Sequence, residues 1–140
     1  MTTKEYLNQV SRYNRMINNK LVEIQQMREM ACSISAVCNE ERVQSSGSHD
    51  KMVENIAKID ELERKLDKTI DRYVDTKNKI IEQIDNIDNE MSYIILFSRY
   101  IEKKTFEEIS VETQYSWRQI IRLHGKALQE FETKYGKEYL

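Results

Sequence analysis

Three basic side chains recur at four-residue intervals near the end of the chain. They are Arg118, Arg122 and Lys126, and the segment from Ser116 to Lys126 contains no acidic residue. Because four residues make slightly more than one turn of an α-helix, the three cations lie along one helical face. Cations placed in this way can meet the phosphates of a duplex, and arginine can donate two hydrogen bonds to a guanine edge. The spacing therefore predicts a basic helical surface suited to double-stranded DNA.

The helix that carries these cations has a clear predicted start. Ser116 is a favourable N-cap residue and Gln119 completes a capping box, so the helix is expected to begin at Trp117. The positions expected to face the interior are Ile120, Leu123, Ala127 and Phe131. The residues expected to contact DNA are Ser116, Trp117, Arg118, Gln119, Ile121, Arg122 and Lys126. Gly125 is expected to face outward as well, and His124 adds to the basic character of the segment.

A second short helix is expected directly before this one. Thr105 can cap it, with Glu108 at the capping-box position, and Ser110 provides a small side chain where a partner helix must approach. The apolar positions that such a pair would bury are Ile109, Tyr115, Ile120 and Leu123. Gln114 occupies the turn position at which glycine is usual, because the common turn needs a positive φ. This arrangement predicts a helix-turn-helix, whose second helix lies in the DNA major groove.

Carboxylates elsewhere in the chain are of the residue types that serve acid–base catalysis or bind metal ions. Acidic residues recur at Asp60, Glu61, Asp67, Asp71 and Asp75. Lysines and arginines alternate with them at helix-surface spacing, and ion pairing on a solvated face explains this pattern without further assumption. Cys32 and Cys38 have no nearby histidine to complete a zinc site. The sequence therefore predicts that the protein is not an enzyme and has no catalytic residue, metal or cofactor.

Composition favours a cytoplasmic protein outside the membrane. The 140 residues carry a net charge of −2, so any affinity for DNA must belong to one local surface. No apolar run approaches the roughly 20 residues of a membrane span, and no signal peptide is visible. Cys32 and Cys38 are expected to be buried or half-buried thiols in a reducing compartment, without a disulfide between them.

The elements that must position the candidate site are all expected to be helices. The chain has no proline and only 3 glycines, so no strong helix breaker interrupts it. From about Thr3 to Asn39, apolar residues recur every three or four positions, at Val10, Tyr13, Ile17, Leu21, Ile24, Met27, Ala31, Ile34 and Cys38. The segment from Glu40 to Asp50 is predicted to be a loop, with Ser48 or Asp50 capping the next helix.

The second long helix, from Asp50 to about Asp88, has the clearest heptad repeat. Its apolar residues are Met52, Ile56, Ile59, Leu66, Ile70, Tyr73, Ile80, Ile84 and Ile87. This spacing predicts a coiled coil, and the first helix is the simplest partner in an antiparallel hairpin. Because a two-helix hairpin has a thin core, the chain is expected to form a homo-oligomer. The residues expected to drive this association are Ile59, Leu66, Ile70 and Ile84.

A strongly apolar segment then begins the last part of the chain. Met91, Ile94, Ile95, Leu96, Phe97 and Tyr100 predict a short helix, the first of three, and the turn after it is Glu102–Lys104. The expected fold is all-α. A long antiparallel helical hairpin, or coiled coil, spans residues 1–89, and a three-helix DNA-binding domain with a helix-turn-helix spans residues 90–140.

The segment from Met91 to Phe131 resembles region 4 of sigma-70-type factors. The shared pattern is an apolar helix ending in Arg99-Tyr100, a polar turn, Thr-x-Glu-Glu-Ile from Thr105, then Tyr115-Ser116 and a basic helix. The whole chain is similar to small proteins of phages and prophages of low-GC Gram-positive bacteria, which join a helical hairpin to a sigma-region-4-like end. The other matching segments are Glu41–Ser46, Asp50–Met52 and Arg122–Leu128. The resemblance implies a transcription regulator in the bacterial host cytoplasm, with late genes as candidate targets.

Two alternatives remain open from the sequence. A small terminase-type DNA-packaging protein also combines a helix-turn-helix with a long helical oligomerisation element. A coiled-coil adaptor could instead use its C-terminal helices to bind RNA polymerase. The expected partners are therefore double-stranded DNA and a second copy of the chain, with host RNA polymerase as a further candidate.

Overall fold

The computed structural model describes the backbone of residues 1–40 and 46–140 and the side chains of residues 1–32 and 50–140. Throughout this described part the regular structure is helical, without a strand, which confirms the predicted all-α class. The helices are α1 (Thr3–Leu7), α2 (Gln9–Glu40), α3 (Ser46–Asp85), α4 (Glu90–Leu96), α5 (Phe106–Thr113) and α6 (Trp117–Tyr135). A π-helical turn, Phe97–Ile101, continues α4, and a 3-10 turn, Gly136–Glu138, follows α6.

Packing divides the chain into two compact units. The terminal unit contains Met1–Tyr13 and Tyr73–Leu140, and the hairpin unit contains Asn14–Arg72. The long helices α2 and α3 contribute residues to both units. The division at residue 89 that the sequence suggests remains a prediction.

Helix α3 begins earlier than the sequence predicts. Ser46–Asp50 is already helical, so neither Ser48 nor Asp50 caps α3. One glycine costs a helix only about 1 kcal/mol relative to alanine, whereas proline costs about 3 kcal/mol, and this segment has no proline. Residues 41–45 of the predicted loop lie outside the described residues. At the other end, the helix predicted from Thr3 is interrupted only at Asn8, whose carbonyl still accepts from the Arg12 N–H at 3.0 Å.

The long helices bury a narrower stripe than their apolar residues suggest. Positions spaced three and four apart are buried or half-buried, namely Val10, Tyr13, Ile17, Lys20, Ile24, Met27 and Ala31 on α2 and Met52, Asn55, Ile59, Leu62, Leu66 and Thr69 on α3. Leu21, Ile56 and Ile70 were predicted to belong to this stripe but are exposed, at 50%, 49% and 37%. A single partner helix covers only two positions per heptad, and each of these three residues comes one position after a covered one, so it stays at the surface. The side chains of Ile34 and Cys38 lie outside the described residues.

This packing also corrects the set of residues predicted to drive self-association. Leu66 and Ile84 are buried within their own chain, and Ile59 is half-buried. Only Ile70 of that set is exposed. The thiol of Cys32 is free and exposed, contrary to the prediction of a buried or half-buried group.

The terminal unit gathers the chain ends around α4 and α6. Its main core consists of Tyr6, Leu7, Val10, Ile80, Ile84, Ile87, Leu96, Tyr100, Ala127 and Phe131. The hydroxyl of Tyr6 donates to Oε1 of Gln83 at 2.7 Å, and Gln83 Nε2 donates to Glu138 at 2.8 Å. The Tyr6 ring stacks on Tyr139 with centroids 4.2 Å apart. The last residues of the chain therefore fasten α1 to the C-terminal end of α3.

A second, smaller core lies where α4, α5 and α6 meet. It consists of Ile95, Ile109 and Ile120, with Met91, Phe106 and Leu123 packed against it. Each helix thus contributes one fully or almost fully buried isoleucine. This core sets α6 against the two shorter helices and leaves the opposite face of α6 outside.

Candidate nucleic-acid interface

The start of α6 is fixed by the capping box that the sequence predicts. The Ser116 hydroxyl accepts from the Gln119 N–H at 3.2 Å, and the Ser116 N–H donates to Gln119 Oε1 at 3.0 Å. The helix begins at Trp117, as predicted. Ser116 and Gln119, both among the predicted contact residues, are thus engaged in the cap. The cap satisfies the Gln119 N–H and so stabilises the first turn of α6.

A left-handed residue makes the break between α5 and α6 sharp. Gln114 has φ 61° and ψ 18°, the left-handed conformation expected at this position of a helix-turn-helix. The Ser110 hydroxyl donates to the carbonyl of Tyr115, which explains the small polar residue in α5. Tyr115 was predicted to be buried but is 39% exposed, because the turn is held through its backbone and the ring is left at the surface.

Replacing Gln114 with glycine is expected to stabilise the protein. A side chain in the left-handed region is strained, and glycine relieves that strain at the cost of a more flexible unfolded chain. We expect Gln114→Gly to raise the free energy of unfolding by up to about 1 kcal/mol, measured by urea denaturation. Gln114→Val should lower it, because a branched side chain is strained further in this conformation. A loss of stability in the glycine variant would mean that residue 114 is not left-handed.

The outward face of α6 is basic and partly apolar. Arg118, Arg122 and Lys126 are exposed, Trp117 is 51% exposed and Ile121 is 36% exposed. Within the described residues, none of the three cations forms an ion pair or hydrogen bond with another side chain. On the opposite face Ile120, Ala127 and Phe131 are buried and Leu123 is half-buried, as the sequence predicts. Gly125 also lies outward, and an added Cβ there would meet nothing within 4 Å.

His124 does not belong to the basic face. It is only 5% exposed, and its Nε2 lies 2.8 Å from the Tyr100 hydroxyl. Burial, with the nearby charges of Lys4 and Arg99, lowers the pKa of His124 to about 4. Burial likewise raises the pKa of Tyr100 to about 12. Both side chains are therefore uncharged near neutral pH, and His124 contributes packing beneath α6 in place of the positive charge expected from the sequence.

The buried histidine makes stability depend on pH. The pKa of His124 is about 4 in the folded protein, whereas its ordinary value, which applies to the unfolded chain, is 6.5. Between these two pH values the unfolded chain therefore binds more protons than the folded protein does. The free energy of unfolding should therefore fall as the pH drops from about 6.5 towards 4, by as much as about 3 kcal/mol. Urea denaturation at several pH values measures this. His124→Gln should flatten the dependence in that window, and an equally steep curve in the variant would assign the effect to other groups.

Arg99 and Phe106, which the sequence analysis does not assign to the site, pack against the buried side of α6. The guanidinium of Arg99 lies 4.2 Å from the centroid of Phe106, whose ring meets the edge of His124 at 4.9 Å. Arg99 also donates to the carbonyl of Lys104 at 3.1 Å. The π-helical turn Phe97–Ile101 places Arg99 at the turn and Tyr100 in the core. The signal in the sequence was the Arg99-Tyr100 pair after an apolar segment, but nothing there indicated which side chains it would meet.

Ion pairs made by Lys104 stabilise the turn before α5. The ammonium of Lys104 lies 2.8 Å from a carboxylate oxygen of Glu102 and 2.8 Å from one of Glu112, and these hydrogen bonds raise the pKa of Lys104. Thr105 caps α5 by accepting from the Glu108 N–H at 3.2 Å. The contact between Lys104 and Glu112 links the turn to the last part of α5.

The surface of α5 contrasts with that of α6. A shallow depression on it is lined by Thr105, Glu107, Glu108, Val111 and Glu112. Val111 is 79% exposed at this acidic site. The helix pair therefore presents an acidic surface with an apolar centre on α5 and a basic surface on α6.

The described residues contain no group of three or more histidine, cysteine, aspartate or glutamate side chains that could hold a metal ion. No helix in the part of the chain that the structure describes is long and apolar enough to cross a membrane.

Comparison of the chain with protein-family models, with curated proteins and with solved structures gives no match.

Proposed function

We propose that the protein is a sequence-specific DNA-binding transcription regulator, in which α5 and α6 act as a helix-turn-helix and α6 enters the major groove. The observation that carries the proposal is the outward face of α6, where Arg118, Arg122 and Lys126 are exposed and have no ion-pair partner among the residues that the structure describes. Because these cations form no ion pair among the described residues, they can contact phosphates and base edges without breaking an existing interaction. The capped first turn of α6 adds its helix dipole to this surface.

The side chains of this face suit different parts of a duplex. Arg118 and Arg122 lie one turn apart and fit hydrogen bonds to guanine edges or phosphates, and Lys126 fits a phosphate. Trp117 and Ile121 lie beside them and fit the apolar methyl groups of thymine or the sugar backbone. Because the chain as a whole carries a net charge of −2, binding should depend on this surface and weaken steeply with added salt.

The resemblance to sigma region 4 and to phage and prophage regulators defines the biological setting of the proposal. The protein would act in the cytoplasm of a bacterial host, at promoters that include phage late genes. Binding of a second copy would bring a second recognition helix to the site and increase the number of phosphate contacts.

A second candidate function is that of an adaptor that binds host RNA polymerase. The specific observation in its favour is the depression on α5, where Val111 is 79% exposed among Glu107, Glu108 and Glu112. An exposed apolar side chain ringed by acids suits a basic protein surface and not a nucleic acid. The two functions are compatible, because α5 and α6 present different surfaces.

Recovery of bound genomic fragments followed by sequencing tests the proposal. The full chain is mixed with fragmented DNA from its host and phage genome, and an Arg118→Ala, Arg122→Ala variant serves as the matched control. Enrichment of promoter-proximal fragments by the parent alone supports the regulator. Enrichment at packaging initiation sites would support the terminase-type alternative. An absence of enrichment, with capture of RNA polymerase that Val111→Asp abolishes, would support the adaptor.

A further inference from the structure

The buried and half-buried positions at which α2 and α3 meet form a seam, and the hairpin unit carries a second stripe beside it. We call it the hairpin flank and define it as Leu21 and Arg28 of α2 with Ile56, Glu63 and Ile70 of α3. Each of these residues directly follows a seam position, and on each helix they recur every seven residues. In heptad notation they are the e positions of both helices, which lie on the same side of an antiparallel pair. The flank is thus one continuous surface and not a scatter of exposed residues.

The flank is apolar at its ends and charged at its centre. Leu21, Ile56 and Ile70 are 50%, 49% and 37% exposed. At the centre the guanidinium of Arg28 donates to the carboxylate of Glu63 across the two helices. In the register set by this contact, Leu21 lies one heptad before Arg28 and Ile70 one heptad after Glu63, so Leu21 and Ile70 are neighbours.

We propose that this flank binds a second copy of the chain, with both hairpins pointing the same way, to form a four-helix bundle. A two-fold axis parallel to the helices places α2 of each copy against α3 of the other. Leu21 then meets the partner's Ile70, and Arg28 meets the partner's Glu63. Apolar groups meet apolar groups, and opposite charges meet across the axis.

The charges at the centre select this orientation. If one hairpin were reversed about the same centre, Arg28 would face the partner's Arg28 and Glu63 the partner's Glu63. Like charges placed directly opposite each other are destabilising. In the proposed orientation every helix also has only antiparallel neighbours, as in up-down bundles. The inference concerns the hairpin unit alone and does not depend on whether α6 binds DNA.

Cysteine crosslinking tests the orientation. The full chain, with Cys32→Ser and Cys38→Ser, is produced in two tagged forms that carry Leu21→Cys and Ile70→Cys, and these are mixed and oxidised. We expect a disulfide between the two forms, while a mixture of Ile56→Cys and Ile70→Cys forms should give none. Crosslinking of the Ile56 and Ile70 forms in place of the first pair would overturn the proposal in favour of the reversed arrangement.

Sedimentation tests whether the flank is the interface. Ile70→Asp should raise the dimer dissociation constant by roughly 100-fold, because it places a charge in a buried apolar contact. Met30→Asp is the matched control: Met30 is a 54% exposed residue of α2 that directly precedes the seam residue Ala31 and lies on the side of the hairpin opposite the flank, so its replacement should leave the dimer intact. Both residues are exposed in the single chain, so both variants should keep the parent's circular dichroism. A parent protein that sediments as a monomer at tens of micromolar, or equal weakening by the two variants, would overturn the proposal.

Discussion

Arg118→Ala is expected to weaken binding to the selected DNA site by about 1–3 kcal/mol, or roughly 5- to 150-fold, if the arginine makes a bidentate base contact. Arg122→Ala should have an effect of the same order, because it lies one turn further along the exposed face of α6. The two losses need not add, since neighbouring side chains can share a contact. Fluorescence anisotropy with a labelled duplex at fixed salt measures the affinities.

The matched control is Arg64→Ala, which removes an exposed arginine from the hairpin unit and should leave the affinity unchanged. The salt dependence of binding distinguishes a phosphate contact from a base contact. Loss of a phosphate contact lowers the slope of log affinity against log salt by about 0.9, whereas loss of a base contact mainly relaxes sequence preference. Equal affinity of the Arg118 variant and the parent, with unchanged circular dichroism, would remove Arg118 from the interface.

Phe131→Ala is expected to have the largest effect on stability. Phe131 is fully buried, and the centroid of its ring lies 5.2 Å from the ring centroid of Tyr135 and 6.0 Å from the ring centroid of Tyr6. Removing a buried aromatic ring loses its transfer free energy and leaves a cavity, which together cost about 3–5 kcal/mol. Because Phe131 anchors α6 to α1 and α3, the substitution should loosen the helix that bears the candidate DNA surface. Urea denaturation followed by circular dichroism measures the change.

Phe131→Leu provides the control for this substitution, since it keeps most of the buried volume and should cost less. Val111→Ala, at a residue that is 79% exposed, should change the free energy of unfolding by no more than about 0.5 kcal/mol. If Phe131→Ala proved as mild as the Val111 variant, the core that joins the two chain ends would not be packed as described.

The sequence by itself determined the features that depend on local interactions. The start of α6 at Trp117 follows from the Ser116 and Gln119 cap, which involves only residues within one helical turn. The left-handed residue at Gln114 follows from the turn between two helices, and the inward face of α6 follows from its 3.6-residue period. The all-α class follows in the same way from helical spacing without proline. These features required no knowledge of distant contacts.

The tertiary structure decided which of the available apolar and ionisable groups became buried. Lys20 and Asn55 lie in the seam of the long helices, while Leu21 and Ile56, one position later, lie outside the two positions of each heptad that the single partner helix covers. His124 is neutral because Tyr100 and Phe106 arrive from other helices and exclude water from it. Tyr139 packs on Tyr6 across almost the full length of the sequence. Such pairings depend on how helices distant in sequence meet, and no local pattern specifies them.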